Sequence, residues 1–292
     1  MTVDLDTRRL RSFIAVAEEL NFTRAARRLF IAQQALSQQV RQLEEELGVK
    51  LLERTTRRVT LTDAGESFLV DARRLVADAE SAVDRARLRA AGKTAVLRLG
   101  FTPAGIRPGT RRILAAFEAR HPEVEVLLRE MSWEDPSAGL AGGSAEAAII
   151  QQPCGVPGLR QVAVCEVEPR LVMSPGNPLA GRSSVDANDL AGVPAVAYDV
   201  PEASFFTRWN VGFPAARARS VQELLSHAAG GRGFAVVSEH SELYHRAPGV
   251  TFRRVTGVPP LRIAFATRED EHNPLVRSLL ACAEDFAFNR GA

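Results

Sequence analysis

Two helical patterns separated by a tight turn constrain this chain more than any other feature. Residues 22–47 read FTRAARRLFIAQQALSQQVRQLEEEL. In the second half, Leu36, Val40, Leu43 and Leu47 recur at helical spacing and form one apolar stripe. Gln34, Ser37, Gln38 and Arg41 recur at helical spacing on another face. Amide, hydroxyl and guanidinium groups are the side chains that hydrogen-bond base edges and phosphates in a major groove. An apolar back, an amide-rich front and a short helix before the turn fit a helix-turn-helix that reads DNA.

The flanking residues extend this unit. A first helix is expected over about residues 5–20, with Leu10, Phe13, Ile14, Ala17 and Leu20 as its core stripe. Thr23 is expected to cap a second helix running to about Phe30 and burying Ala25, Ala26 and Leu29. Ile31-Ala32-Gln33 is the turn, and Gly48 sits where a left-handed cap ends the third helix. Residues 49–62, VKLLERTTRRVTLT, read as two short strands around an Arg/Thr-rich tip, a wing beside the reading helix. A long helix opens at Thr62-Asp63. Phe68, Leu69, Ala72, Leu75, Val76, Ala79, Val83 and Ala86 recur along it with a period near 3.5, a stripe expected to pair with a second copy of the chain. Ala91-Gly92-Lys93 breaks the pattern and reads as a hinge.

Beyond residue 95 the texture changes. AVLRLGF, VEVLLRE, AEAAIIQ, RLVMS, PAVAY, GFAVVS and LRIAFAT read as short buried strands. They alternate with helical stretches at 108–120, 203–209, 220–229 and 274–289, which implies an α/β domain with a mostly parallel sheet and two subdomains. Asp135-Pro136-Ser137 and Ala141-Gly142-Gly143-Ser144 interrupt the region after the second strand.

Composition narrows the class. No apolar run is long enough to span a bilayer, and MTVDLDTRRL lacks the apolar segment of a secretory signal, so a cytoplasmic protein is expected. Cys154, Cys165 and Cys282 are odd in number and scattered, which argues for idle thiols rather than a disulfide or zinc framework. The basic excess lies entirely in residues 1–90, with sixteen Arg/Lys against fourteen Asp/Glu; residues 91–292 hold twenty-one of each. That mild bias suits a nucleic-acid partner.

Enzyme signatures are wanting. The chain has no H-E-x-x-H, G-x-S-x-G or P-loop pattern. Ser238-Glu239-His240 and Tyr244-His245 bring polar groups together, but His240 and His245 are five apart, and an exposed helix is the expectation there. Gly230-Gly231-Arg232-Gly233 precedes a strand and reads as a helix-ending turn rather than a phosphate cradle. No catalytic residue, metal ligand or cofactor is assigned. A solute-binding protein and a ligand-free nucleoid-type DNA binder are the competing readings.

The stretch RRLRSFIAVAEELNFTRAARRLFIAQQALSQQVRQLEEELGVKLLERTTRRVTLTDAGE resembles the DNA-binding domain of LysR-type transcriptional regulators. LRLGFTP, RRILAAFEARHPEVEV, SPGNPLA and VQELLSHAAGGRGFAVVS resemble the rest of that family more loosely. The resemblance implies a winged helix-turn-helix over 1–62 and a linker and dimerisation helix over 63–91. It implies an effector-binding domain over 92–292, similar to periplasmic binding proteins, with Rossmann-like subdomains at about 92–166 plus 268–292 and about 167–267. Its partners would be double-stranded promoter DNA, a small-molecule effector (a carboxylate or an aromatic), further copies of itself as a dimer or dimer of dimers, and RNA polymerase. No membrane partner is implied. Thr23, Gln33, Gln34, Ser37, Gln38 and Arg41 would meet DNA from the helices, and Arg54, Thr55, Arg57 and Arg58 from the wing. Thr102, Ser132, Tyr198 and Phe205 would line the effector site. The family pattern Ser-Gln-Pro-Ala-Leu-Ser-Arg-Gln stands here as Ala32-Gln33-Gln34-Ala35-Leu36-Ser37-Gln38-Gln39, lacking a capping hydroxyl, a proline and an arginine. Gln prefers adenine where Arg prefers guanine, so an operator less dependent on guanine is expected.

Overall fold

The computed structural model describes residues 5–54, 59–90, 95–103, 105–245 and 248–288. The chain divides into two compact units, residues 1–95 with 142–144, and residues 96–141 with 145–292.

The first unit is built on three short helices. Helix α1, Thr7–Glu19, starts at Asp6, whose carboxylate accepts from the Arg8 backbone N–H at 2.8 Å. It ends at Leu20, which turns left-handed and leaves the core that it was expected to join. Helix α2, Phe22–Arg28, is capped by Asn21, whose Oδ1 accepts from the N–H groups of Thr23 and Arg24 at 2.9 and 3.0 Å. Thr23 therefore lies inside the first turn and is not the cap: the helix starts one residue after the extended Asn21, and the amide already serves both N–H groups. Helix α3 spans Gln33–Leu47, opens at Ala32 with no side-chain cap, and ends at Gly48 with φ of +69°. Leu10, Phe13 and Val16 of α1, Ala25 and Ala26 of α2, and Leu36, Val40 and Leu43 of α3 form its core.

Strands β1, Leu52–Arg54, and β2, Val59–Leu61, pair antiparallel with Leu52 opposite Leu61. Buried Glu44 ties them to α3: its Oε1 accepts from the N–H groups of Leu51 and Leu52, both at 3.1 Å. Helix α4, Asp63–Ala90, follows at once. Thr62 Oγ1 donates to Lys50 O at 2.7 Å and accepts from Gly65 N–H at 3.0 Å. Gly65 is required there, since a Cβ would lie 2.0 Å from the Leu51 carbonyl oxygen.

The stripe of α4 divides. Phe68, Leu69, Ala72 and Val76 pack on the core of the same chain, with the Phe13 and Phe68 rings 5.7 Å apart. This corrects the expectation that the whole stripe awaits a second copy: three short helices cannot enclose Leu10, Phe13 and Val16 alone, and α4 supplies the missing wall. Val70, Leu75 and Val83 stay exposed.

The second unit holds two sheets. Its elements in chain order are β3 (Ala95–Phe101), α5 (Pro108–Arg120), β4 (Val124–Glu130), β5 (Ala147–Gln152), β6 (Leu159–Val167), β7 (Pro169–Met173), β8 (Ser184–Asp186) and β9 (Pro194–Tyr198). Then come β10 (Phe213–Ala218), α6 (Val221–Ala229), β11 (Ala235–Ser238), α7 (Glu239–Tyr244), β12 (Thr251–Thr256), β13 (Leu261–Arg268) and α8 (Pro274–Phe288). The first sheet has the order β4-β3-β5-β13-β6, with α5 and α8 packed together against it. The second has the order β11-β7-β12-β8, and β9 and β10 form a parallel pair beside it under α6.

The expectation of a mostly parallel sheet is corrected. Strand β13 runs antiparallel to both β5 and β6, and β7 runs antiparallel to both β11 and β12. Parallel pairing is confined, among the registers described, to β3 with β5, β8 with β12, and β9 with β10. Strands β6, β8, β10 and β12 went unread because their exposed, charged faces, as in TFRRVT, break the apolar runs that mark buried strands. The stretch 203–209 is a short 3-10 turn, Phe205–Trp209, started by Ser204. Residues 133–143 form turns, with Asp135 accepting from the N–H groups of Ser137 and Gly139 at 3.0 and 2.7 Å.

Candidate nucleic-acid interface and inter-sheet cavity

The reading face is set by what α3 buries. Leu36, Val40 and Leu43 are completely enclosed, which fixes the rotation of the helix. The opposite side presents a shallow groove of about 530 Å³ lined by Gln34, Ser37, Gln38, Arg41, Gln42 and Glu45. Gln33, Gln34, Gln38 and Arg41 are exposed and Ser37 is half-buried. The spacing argument found four of these six; Gln42 and Glu45 extend the same face by one turn and were missed. Thr23 is exposed, and its hydroxyl donates to Gln33 Oε1 at 3.1 Å, linking α2 to the start of α3. Arg24 and Arg28 of α2 pair with Glu19 and Glu18 at 3.1 and 2.7 Å. Such exposed pairs are worth less than about 1 kcal/mol and yield readily to a phosphate. Arg54 ends β1; Thr55, Arg57 and Arg58 lie outside the described residues.

The four residues expected to line an effector site are not alike. Thr102 is 1% exposed, and its hydroxyl donates to Gln151 Oε1 at 2.6 Å. Ser132 is exposed, and its oxygen accepts from Glu134 N–H at 3.2 Å. Tyr198 is buried: its hydroxyl donates to Val236 O at 2.7 Å, and burial pushes the phenol's pKa up. Its ring stacks on Phe206 with centroids 4.6 Å apart and meets Trp133 at 5.0 Å. Phe205 is buried edge-on to Trp209 at 5.4 Å. Trp133, which follows β4 of the first sheet, thus joins an aromatic cluster carried by the second. No spacing signal in the sequence joins Trp133 to Phe206 and Trp209.

A second polar cluster lies where the segment 238–245 meets the start of α5. The exposed helix expected there is exposed on one side: Glu242 and His245 are open to solvent, whereas Ser238 and Ser241 are buried and His240 is half-buried, because α7 follows β11 without a loop and packs back on it. Arg107, 4% exposed, precedes Pro108 at the start of α5, and its backbone N–H donates to Thr110 Oγ1 at 2.7 Å. Its Nη2 donates to Ser238 Oγ at 3.1 Å, and Ser238 Oγ lies 3.2 Å from Ser241 Oγ. Ile106, Arg107, Val221, Ser238, His240, Ser241 and His245 enclose a cavity of about 160 Å³. Burial and the Arg107 cation hold the His240 imidazole below its usual pKa. Among the described residues no group of His, Cys, Asp and Glu is arranged to hold a metal ion, and no helix is long and apolar enough to cross a membrane. Cys154 and Cys282 are buried and Cys165 partly so, all as free thiols.

Comparison with known proteins accounts for both units. Residues 7–66 match the family model described as bacterial regulatory helix-turn-helix protein, lysR family, and residues 90–287 match that of the LysR substrate binding domain. The chain is 31% identical over 290 residues to the HTH-type transcriptional regulator AlsR of Bacillus subtilis (strain 168), covering 94% of each chain. It is similar to the crystal structure of CbnR, a LysR family transcriptional regulator, with a TM-score of 0.62, 26% identity, and coverage of 97% of this chain and 99% of that one. Full-length CbnR complexed with its target DNA matches with a TM-score of 0.52 and 27% identity, over 97% of this chain and 100% of that one.

Proposed function

Since the chain belongs to the LysR family, DNA-binding transcriptional regulators with an effector-binding domain, we propose that Gln33, Gln34, Ser37, Gln38 and Arg41 are the residues with which it reads its operator. The observation that carries this is the two-sidedness of α3: a fully enclosed Leu36, Val40 and Leu43, and an amide-rich face open along its length. The exposed amides of Gln33, Gln34 and Gln38 and the guanidinium of Arg41 can exchange water for base edges. Thr23 and Arg54, Thr55, Arg57 and Arg58 are assigned to the phosphates on either side. The uncapped first turn of α3 at Ala32 leaves backbone N–H groups to a DNA phosphate, which the positive end of the helix favours.

Gln38 supplies the test. A glutamine there prefers adenine N6/N7, whereas arginine prefers guanine O6/N7, and a good bidentate contact is worth about 1–3 kcal/mol of discrimination. Selection of binding sites from random DNA should recover sites that gain guanine at one position with Gln38→Arg. An unchanged site profile sinks the assignment of Gln38 to a base edge.

The second unit is assigned the sensing role. We assign the effector site to Ser132, which is exposed, and to the buried Thr102, Tyr198 and Phe205. An effector acts there by binding one arrangement of the unit more tightly than another. We assign the chain no catalytic step and place it in the cytoplasm, acting at promoters beside RNA polymerase as a dimer or dimer of dimers.

A further inference from the structure

We propose that the groove along β7 and β12 of the second sheet is a binding site for a small organic phosphomonoester, held by Arg170, Arg253 and Arg254. The site is separate from the effector site assigned above and does not depend on it.

Arg170, Ser183, Glu242, Phe252, Arg253 and Arg254 line an open groove of about 380 Å³. They belong to β7, β12, α7 and the approach to β8, and none comes from the first sheet. Arg170 and Arg254 stand directly opposite one another in antiparallel strands, so their side chains share a face. Like charges so placed repel and cost stability unless an anion lies between them. The fold supplies little of that negative charge. Arg170 Nη1 donates to Pro169 O at 3.0 Å, and its Nη2 lies 3.4 Å from Glu239 Oε2. Arg254 is exposed and, among the described residues, has no hydrogen-bond or ion-pair partner. Arg253 donates to neutral oxygens: its Nε to Ala180 O at 2.8 Å, and its Nη1 to Phe252 O at 2.7 Å and Thr251 Oγ1 at 2.8 Å. Those contacts fix its plane and leave Nη2 with no acceptor among the described residues. Glu242 lines the groove but forms no ion pair with any of the three.

Two guanidiniums therefore lack an acidic partner. A phosphomonoester is the small group that brings close to two negative charges and three strong acceptor oxygens to one atom, and guanidinium forks match it two oxygens at a time. A carboxylate brings one charge and two oxygens. The volume is that of an ordinary small-ligand site and exceeds what a bare phosphate fills. The body of the ester lies against half-buried Phe252, with the exposed Ser183 hydroxyl and Glu242 carboxylate at hand for its hydroxyl groups. The chain crosses between the two sheets twice, from β6 into β7 and from β12 into β13. A phosphate bridging Arg170 and Arg254 braces the two strands that carry both crossings, which is where a second ligand can bias the arrangement of the unit.

The test is calorimetric titration of the full chain, without DNA, with glycerol phosphate, adenosine monophosphate and inorganic phosphate, and with glycerol and adenosine as controls. At least one of the two esters should bind saturably and more tightly than inorganic phosphate, and its unphosphorylated parent should not bind. Arg254→Gln and Arg170→Gln should each weaken it about tenfold or more, as expected for the loss of charged hydrogen bonds. Arg262→Gln, which removes an exposed arginine of the first sheet paired with Glu166 at 2.6 Å, should leave it unchanged. The proposal is overturned if neither ester binds, if an ester binds no more tightly than inorganic phosphate, if Arg254→Gln binds as the wild type does, or if Arg262→Gln weakens binding as much as Arg254→Gln. If Arg170→Gln does not fold, the exposed Arg254 decides alone. Mobility shifts on the same samples report DNA binding separately, so the phosphate site and the DNA-reading assignment can fail independently.

Discussion

At the scale of single residues, the DNA-binding unit departs from low-energy practice in ways that bear on stability. Phe30 stands in the turn before α3 with φ of +54°, and 95% of its surface is exposed. A left-handed conformation costs a residue with a side chain roughly 1–2 kcal/mol, and no burial offsets it here. Glycine adopts that conformation freely but loses roughly 0.5–1 kcal/mol of chain entropy. Phe30→Gly should therefore raise the stability of the folded chain by about 0.5–1 kcal/mol in a denaturant titration; a loss of stability would show that the ring packs against something. Glu44 is the opposite case, a buried carboxylate that holds two N–H groups of the wing. It interrupts the apolar stripe of α3 and reads in the sequence as one more acid in a Glu-Glu-Glu run. Its partners, seven and eight residues on, are a product of how the chain turns at Gly48.

Elements were legible in proportion to how one-sided they are. Helices α1 and α3 and strands β3, β5, β7 and β11 announce themselves by apolar periodicity or apolar runs. Strands β6 and β12 do not, since each mixes charged residues with its apolar ones. Helix α4 shows what periodicity leaves open: it marks an apolar stripe without saying what covers it. Phe68, Leu69, Ala72 and Val76 are covered within the chain, whereas Val70, Leu75 and Val83 are not. Leu75 and Val83 are two turns apart on a helix of 28 residues, the spacing that lets a second copy pack alongside. Leu75→Glu with Val83→Glu should lower the molecular mass seen in sedimentation to that of a smaller assembly while circular dichroism stays unchanged. An unaltered mass would remove α4 as the self-association surface.

For the whole molecule, the net charge is +2, too small to draw it to DNA as a body. Affinity must then come from local phosphate contacts, and the logarithm of the binding constant should fall linearly with the logarithm of salt concentration. Arg54→Ala, which removes one of the cations assigned to a phosphate, should reduce the steepness of that line by about 1. A response flat in salt would contradict the phosphate contacts altogether. The order of units, the helix-turn-helix and the polar, exposed face of its third helix were determined by the sequence alone. They depend on periodicities of three or four residues, and those are visible along a single strand of text. The cavity around Arg107 was decided only by the tertiary structure. Arg107 and Ser238 stand 131 residues apart, and neither belongs to a spacing pattern that includes the other. Only the return of the chain through β11 into α7 brings a guanidinium, two hydroxyls and two imidazoles to one place. The same holds for Trp133 and Tyr198, far apart in the sequence and with ring centroids 5.0 Å apart in the fold. Short-range order is encoded locally, while convergence of distant polar groups is a property of the packed chain.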